Sequence, residues 1–168
     1  ARAMRQSPTW ASRLGDRRYN DRWPDMSLEA VAQSHAADLA ALKRAEAIDS
    51  GALGDIDRLN LRLFKRQLQT SVDMHAHKWW LVPLDHRWGI QTADTLGDQL
   101  RFATGKDYED WIARLEGFGQ YMNQTIALMR KGIADGRVHA KIVMQRVPRQ
   151  IRSQIVDDPE ASPFYKPI

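Results

Sequence analysis

The sequence contains no cysteine, so it forms no disulfide bond and offers no thiolate to a metal ion. No apolar run approaches the roughly 18 residues that a helix needs to cross a bilayer, so we predict no membrane span. The first ten residues, ARAMRQSPTW, lack the apolar stretch of a secretory signal. A signal peptide preceding residue 1 would still permit export, and the sequence leaves the compartment open.

The motifs of several enzyme classes are also missing. No Glu directly follows a His, which excludes the His-Glu-x-x-His zinc motif. The ten glycines are scattered rather than gathered into a phosphate-binding loop. There is no Gly-x-Ser-x-Gly elbow to present a nucleophilic serine. We therefore predict that this chain has no catalytic residue, no metal ligand set and no cofactor of its own.

The composition is typical of a globular protein, with 43% hydrophobic and 27% charged residues. A chain of 168 residues is long enough for one sizeable core, so we predict a single helical domain over residues 1–168. Basic residues concentrate at the N-terminus and again between Arg130 and Arg152, where seven stand against Asp135 alone. No aromatic residue lies in that second stretch to stack on bases, so we predict no nucleic-acid binding.

Apolar residues recur at helical spacing through most of the chain. Ser27 is a suitable N-cap for a helix that ends near Asp49-Ser50-Gly51, and Asp55 or Asp57 could cap a second, longer helix. The apolar positions of the second helix predict a broad buried face. Those positions are Leu59, Leu61, Leu63, Phe64, Leu68, Val72, His75 and Trp79.

Pro83, Gly89 and three Trp interrupt the helical pattern and predict an irregular segment over residues 78–95, where a short strand pair is possible. A brief helix is expected over residues 94–102, and Asp107 should cap the next one. Gly117 and Gly119 favour a break within the apolar stripe that follows. A last helix should run over residues 140–156 with a kink or a restart at Pro148, followed by an extended tail.

The predicted fold is therefore all-α. We expect an irregular antiparallel array of about five to six helices, with an ordered N-terminal loop and one irregular Trp-rich segment.

The strongest candidates for metal ligands are His75, His77 and His86, which have Asp73 and Asp85 as acidic neighbours. Two His and a carboxylate could hold zinc. On a helix, however, positions i and i+2 point about 200° apart, so His75 and His77 would not share an ion. We predict that these histidines, and His35 on an apolar stripe, serve packing or capping.

The N-terminal segment, residues 7–27, is rich in Arg, Asp and Trp, and it allows two interpretations. It could be a loop clamped to the helices by Arg–Asp hydrogen bonds, with its aromatic side chains packed. It could also form the wall of a substrate channel, because loops on helical scaffolds often carry binding residues. The expected pairs join Arg13, Arg17 and Arg18 to Asp16, Asp21 or Asp25, with Trp10, Tyr19 and Trp23 packed. The substrate-cleft candidates are Arg13, Asp16, Tyr19, Asp25 and Trp88.

Four stretches in the same order resemble a bacterial family catalogued as domain of unknown function 885. They are SPTWASRLGDRRYNDRWPDMS (7–27), DYEDWIARL (107–115), MRKGIADGRV (129–138) and SPFYKPI (162–168). The matching positions are Leu14, Gly15, Asp16, Tyr19, Asp21, Pro24, Asp25, Ser27, Asp107, Tyr108, Arg114, Leu115, Gly132, Gly136, Ser162, Pro163, Phe164 and Tyr165. The resemblance covers nearly all of this chain but only the N-terminal part of a typical member.

The resemblance implies a bacterial, mostly helical, zincin-like zinc peptidase whose metal and general base come from a His-Glu region downstream of SPFYKPI. This chain would then be an N-terminal lid or cleft wall without catalytic residues. Its partners would be the remainder of the parent chain and a peptide substrate, with periplasmic or lipoprotein-anchored export plausible. Uncovered aromatic residues would favour self-association. The alternative is an autonomous helical module that binds a peptide or a protein.

Overall fold

A computed structural model describes residues 2–168, and this part of the chain is helical and contains no β-strand. The all-α prediction is confirmed. The eight α-helices of this part are α1 (Arg2–Gln6), α2 (Pro8–Arg13), α3 (Leu28–Glu46), α4 (Asp55–Ala76), α5 (Gly105–Glu116), α6 (Phe118–Ala134), α7 (Lys141–Met144) and α8 (Val147–Arg152). They exceed the five to six expected because the N-terminal segment and the last predicted helix form short pieces.

The chain divides into two compact units, one of which is Leu28–Trp80. In this unit α3 and α4 form an antiparallel hairpin around Leu42, Ala45, Leu61 and Leu68. The helix α3 begins after Ser27, as predicted. The N-cap of α4 is Gly54 rather than the predicted Asp55 or Asp57. Both acids lie instead in the first turn of α4, where the helix dipole favours a negative charge.

The predicted broad buried face of α4 is wrong. Only Leu61 and Leu68 are buried along this helix, whereas Phe64 is 49% exposed and Leu63 is 55% exposed. Within this unit α4 has one long helix to pack against, and a single partner helix covers only a narrow stripe. The remaining apolar side chains of α4 therefore face outwards from the hairpin.

The other unit joins the N-terminal segment, up to Ser27, with Leu81–Ile168. The N-cap of α5 is Thr104 rather than Asp107. Asp107 lies at the third helical position and accepts a hydrogen bond from the Thr104 backbone N–H at 2.8 Å, which is the arrangement of a capping box. The break between α5 and α6 lies at Gly117, as predicted, and Gly119 continues α6.

The remaining differences from the predicted elements follow from proline and loop chemistry. Residues 78–102 contain no strand but two 3₁₀ segments, Trp79–Leu81 and Ile90–Gln99, the second of which overlaps the brief helix expected over residues 94–102. Pro148 lies in the first turn of α8, where its missing N–H costs nothing, so of the two predicted outcomes the restart is the one observed. The tail is turned by a 3₁₀ segment, Pro159–Ala161, rather than extended. Within the N-terminal segment, residues 8–13 are helical, so the predicted loop is confined to the residues that follow.

Candidate functional site

Arg114 joins the N-terminal segment to α5. Its side chain is fully buried. The Nη2 atom donates hydrogen bonds to Ser12 Oγ at 2.9 Å and to the Tyr19 carbonyl oxygen at 2.6 Å. The guanidinium carbon lies 5.5 Å from the centre of the Trp23 ring, within cation–π range. The Arg114 side chain therefore contacts three residues of the N-terminal segment, Ser12, Tyr19 and Trp23.

The charge of Arg114 is only partly compensated. Burial lowers the pKa of Arg114 to about 10, against the opposing influence of the nearby Asp21 and Asp110 carboxylates. The Nε and Nη1 atoms are buried, and no atom of residues 2–168 accepts a hydrogen bond from them. A buried donor without a partner costs free energy. Burying the charge of Arg114 therefore costs free energy, whereas its hydrogen bonds order the N-terminal segment.

Trp23 packs against two aromatic rings of α6 that also lie close to each other. Its ring centre lies 5.4 Å from that of Phe118 and 5.2 Å from that of Tyr121, with the latter pair nearly parallel. The indole Nε1 donates a hydrogen bond to the Arg114 carbonyl oxygen at 2.7 Å. Burial raises the pKa of Tyr121, so its hydroxyl stays protonated at neutral pH.

An open cleft of about 170 Å³ lies next to this aromatic stack. We call it the motif cleft; its lining residues are Asp21, Arg22, Trp23, Pro24, Asp25, Gly117, Gln120, Tyr121 and Gln124. Two hydrogen bonds tie its walls together. Gln124 Nε2 donates to Asp25 Oδ1 at 2.8 Å, and the Met26 backbone N–H donates to Gln124 Oε1 at 2.9 Å.

Both carboxylates of the motif cleft stay ionised at neutral pH. The Arg22 guanidinium, hydrogen-bonded to Asp21, holds the pKa of that carboxyl below its usual range. Hydrogen bonding from the Ser27 backbone N–H, assisted by Gln124, lowers the pKa of Asp25. Because Asp21 is paired with Arg22, Asp25 is the carboxylate beside the aromatic rings that suits a ligand with an ammonium or guanidinium group.

The structure places the five substrate-cleft candidates differently. Asp25 lines the motif cleft, whereas Tyr19 contributes its backbone carbonyl to Arg114. Asp16 forms an ion pair with Arg18 at 2.6 Å. The other two are exposed: Arg13 lies at the end of α2, and Trp88 closes a turn in which its backbone carbonyl accepts from Asp85 N. The role of each in binding stays a prediction.

The Arg–Asp pairing of the N-terminal segment is confirmed in part. Arg18 binds Asp16 as predicted, but Arg17 binds Asp107 of α5 instead of an acid of its own segment. Trp23 is packed, whereas Trp10 is 47% exposed, so its predicted packing is wrong. The helix α2 is too short to bury its outer face.

Arg114, Tyr121 and Gln124 were missed by the sequence interpretation. A signal for Arg114 was present, because it follows Trp111 by three residues and precedes Phe118 by four. It is therefore an isolated arginine on the apolar face of α5. Such an arginine is buried only when partners satisfy it.

Of the histidines predicted to pack or cap, His35 and His75 pack against each other. The rings of His35 and His75 stack with centres 3.8 Å apart, and they line a cavity of about 310 Å³ in the α3–α4 hairpin. His77 is the C-cap of α4 and is exposed. Across residues 2–168 no group of three or more His, Asp or Glu side chains could hold a metal ion. The zinc site that the family resemblance implies would lie downstream of residue 168 and would not involve these histidines.

A family model described as "Bacterial protein of unknown function (DUF885)" matches residues 8–168. The match covers nearly the whole chain, so the chain belongs to this family. No curated protein matches the sequence. Among the helices that the structure describes, none is both long enough and apolar enough to cross a membrane.

Proposed function

From this family membership, we propose that the chain forms one wall or the lid of the substrate cleft in a zinc-dependent peptidase. In this proposal the chain contributes binding and ordering, and it supplies neither metal ligand nor general base. Both would come from the remainder of the parent chain. The substrate would be a peptide.

The observation that carries the proposal is the motif cleft. Asp21, Pro24 and Asp25 match family positions and line an open cleft instead of being buried in a core. Arg114, at another matching position, orders the segment that bears them. The Asp25 carboxylate beside aromatic rings is suited to the ammonium group or a basic side chain of a peptide.

The test uses the complete protein encoded by the parent reading frame. We expect it to contain one zinc ion per chain, measured by elemental analysis after dialysis, and to cleave peptides with a rate that a chelator abolishes and added zinc restores. Residues 1–168 alone should hold no stoichiometric zinc. A complete protein that binds no metal, or whose peptide cleavage is insensitive to chelation, would refute the peptidase proposal.

A second candidate is an autonomous helical module that binds a peptide or a protein. The exposed indoles favour it: Trp79 is 60% exposed and Trp88 is 53% exposed. Tight peptide binding by residues 1–168, with no gain in affinity or specificity in the complete protein, would favour the module over the cleft wall.

A further inference from the structure

An apolar pocket of about 200 Å³ lies on the larger unit, between residues 81–84, the second half of α6 and α7. Its floor includes Leu81, Met129 and Met144, and its rim includes Ile133 and Val138. Ile133 is 67% exposed and Val138 is 65% exposed. Burying such side chains against a partner would be favourable, because each removes apolar surface from water.

The rim of this pocket is basic. Arg137 lines it, Arg130 lies one helical turn before Ile133, and Lys141 lies three residues before Met144. Within residues 2–168, no carboxylate lies at ion-pair distance from these three side chains. The one acid of the surrounding stretch, Asp135, accepts a hydrogen bond from Lys131 Nζ at 2.8 Å. Among the described residues, none of these three cations is therefore neutralised by an ion pair.

We propose that this pocket and its basic rim form a docking surface for an acidic segment of polypeptide that inserts an apolar side chain. The volume suits one aliphatic or aromatic side chain, and the three cations would pair with flanking Asp or Glu residues. Ile142, 67% exposed on α7, extends the apolar area beyond the pocket.

The concave shape favours a polypeptide over the two other partners that basic surfaces take. A bilayer is entered by protruding apolar side chains, whereas a pocket accepts a side chain from a partner. Nucleic acid binding would use aromatic residues to stack on bases, and residues 130–152 contain none. The surface is separate from the motif cleft, so this inference does not depend on the peptidase proposal.

The test measures fluorescence anisotropy of a short fluorescein-labelled peptide in which two Leu are embedded among Glu residues. We expect it to bind residues 1–168, and to bind more weakly as salt rises, because salt screens exposed charges. A peptide with both Leu replaced by Ser should bind at least about tenfold more weakly.

Two variants on the rim locate the binding site. Arg137→Glu and Val138→Asp change exposed side chains, so the fold should be kept, which circular dichroism melting verifies. Each should weaken binding about tenfold. Matched variants on α4, Arg66→Glu and Ile56→Asp, should leave binding unchanged; Ile56 is 77% exposed.

Three results would overturn the proposal. The Leu-to-Ser peptide could bind as tightly as the original, which would reduce the interaction to non-specific charge attraction. The rim variants could bind like the wild-type chain. Vesicles of anionic phosphatidylglycerol could bind in a manner that requires Arg137 and Val138 while the peptide does not bind, which would assign the surface to a membrane.

Discussion

At the scale of single residues, Arg114 combines a costly burial with two hydrogen bonds that order the N-terminal segment. We predict that Arg114→Ala lowers the free energy of unfolding by about 3 kcal/mol, because it leaves a cavity and removes both bonds. Arg114→Met should cost less than half as much, since it fills the space without burying a charge. Urea unfolding measures both.

The exposed Arg66→Ala serves as the control and should change stability by less than about 0.5 kcal/mol. If Arg114→Met destabilised the chain as much as Arg114→Ala, the hydrogen bonds would outweigh the volume of the side chain. A neutral Arg114→Ala would contradict the role of Arg114 in ordering the segment.

Gly132 of α6 permits a close approach of backbone that a larger residue would prevent. A Cβ atom there would lie 2.6 Å from the Leu81 carbonyl oxygen and 2.8 Å from that of Arg137. We predict that Gly132→Ala destabilises the chain by about 1–3 kcal/mol through overpacking. Gly119→Ala, in the same helix with no atom within 4 Å of the new Cβ, should instead stabilise it by a few tenths to about 1 kcal/mol.

The opposite signs make this pair of variants informative. Thermal melting of the two proteins side by side measures the difference. Equal shifts in the same direction would show that helix propensity alone governs both positions.

At the scale of elements, the N-terminal segment behaves as part of the larger unit rather than as a tail. Trp23 packs on α6 and binds α5 through its indole N–H. Deleting residues 1–26 should lower stability by several kcal/mol, because burial of a large apolar side chain contributes about 1.5–3 kcal/mol. The deletion would also leave the buried Arg114 without its two acceptors. An unchanged melting temperature would mean that the segment contributes nothing to the stability of this chain.

The stacked imidazoles of α3 and α4 make the hairpin sensitive to acid. Burial, together with the neighbouring His35, holds the pKa of His75 below its usual 6.5. The unfolded chain therefore takes up a proton at a higher pH than the folded chain, so stability falls as pH drops below about 6.5 and levels off below the folded pKa. Asp38 lines the same cavity.

The test compares melting temperatures at about pH 8 and about pH 5. His75→Phe keeps a stacked ring but removes the titrating group. Its melting temperature should therefore fall less on acidification than that of the wild-type chain. His77→Phe, at the exposed C-cap of α4, should leave the drop unchanged. A pH profile identical in wild type and His75→Phe would refute the assignment.

Local chemistry was predictable from the sequence, and contacts between distant residues were not. Periodicity located α3, α4 and the break at Gly117, because these depend on neighbours along the chain, although Gly54 rather than Asp55 or Asp57 caps α4. The broad buried face predicted for α4 failed because burial depends on how many helices pack against it. Pro8 begins α2 and Pro148 is the second residue of α8; the sequence left both a kink and a restart open at Pro148, because the choice depends on where the helix starts.

The candidate site shows the same division. The acids of the N-terminal segment could be singled out from their unusual order, and Asp25 lies in the motif cleft. The opposite wall, with Tyr121 and Gln124, belongs to α6, about a hundred residues later in the chain. No spacing rule joins residues at that separation, so only the fold brings them together.

At the scale of the whole molecule, the larger unit carries two candidate binding surfaces that differ in chemistry. The motif cleft is lined by Asp25 and by Asp21, which is paired with Arg22, and the apolar pocket is lined by Arg137, with Arg130 and Lys141 close by along the chain. A peptide bound in the first and an acidic segment docked on the second would therefore be selected by different chemistry. Self-association through the exposed Trp79 and Trp88 stays a prediction. Sedimentation of the chain at high protein concentration would test it.

The central claim is the proposal that the motif cleft contacts peptide substrate in the complete protein. Asp25→Asn removes a cleft charge and keeps its shape; Asp57→Asn, on the first turn of α4, is the matched control. The most direct measurement is KM and kcat of both variants for a peptide with a free N-terminal ammonium. We predict that Asp25→Asn raises KM about three- to tenfold with kcat unchanged, since it weakens binding alone, and that the control matches the wild-type protein. Unaltered KM in Asp25→Asn, in a protein that still binds zinc and cleaves peptide, would contradict the cleft-wall proposal.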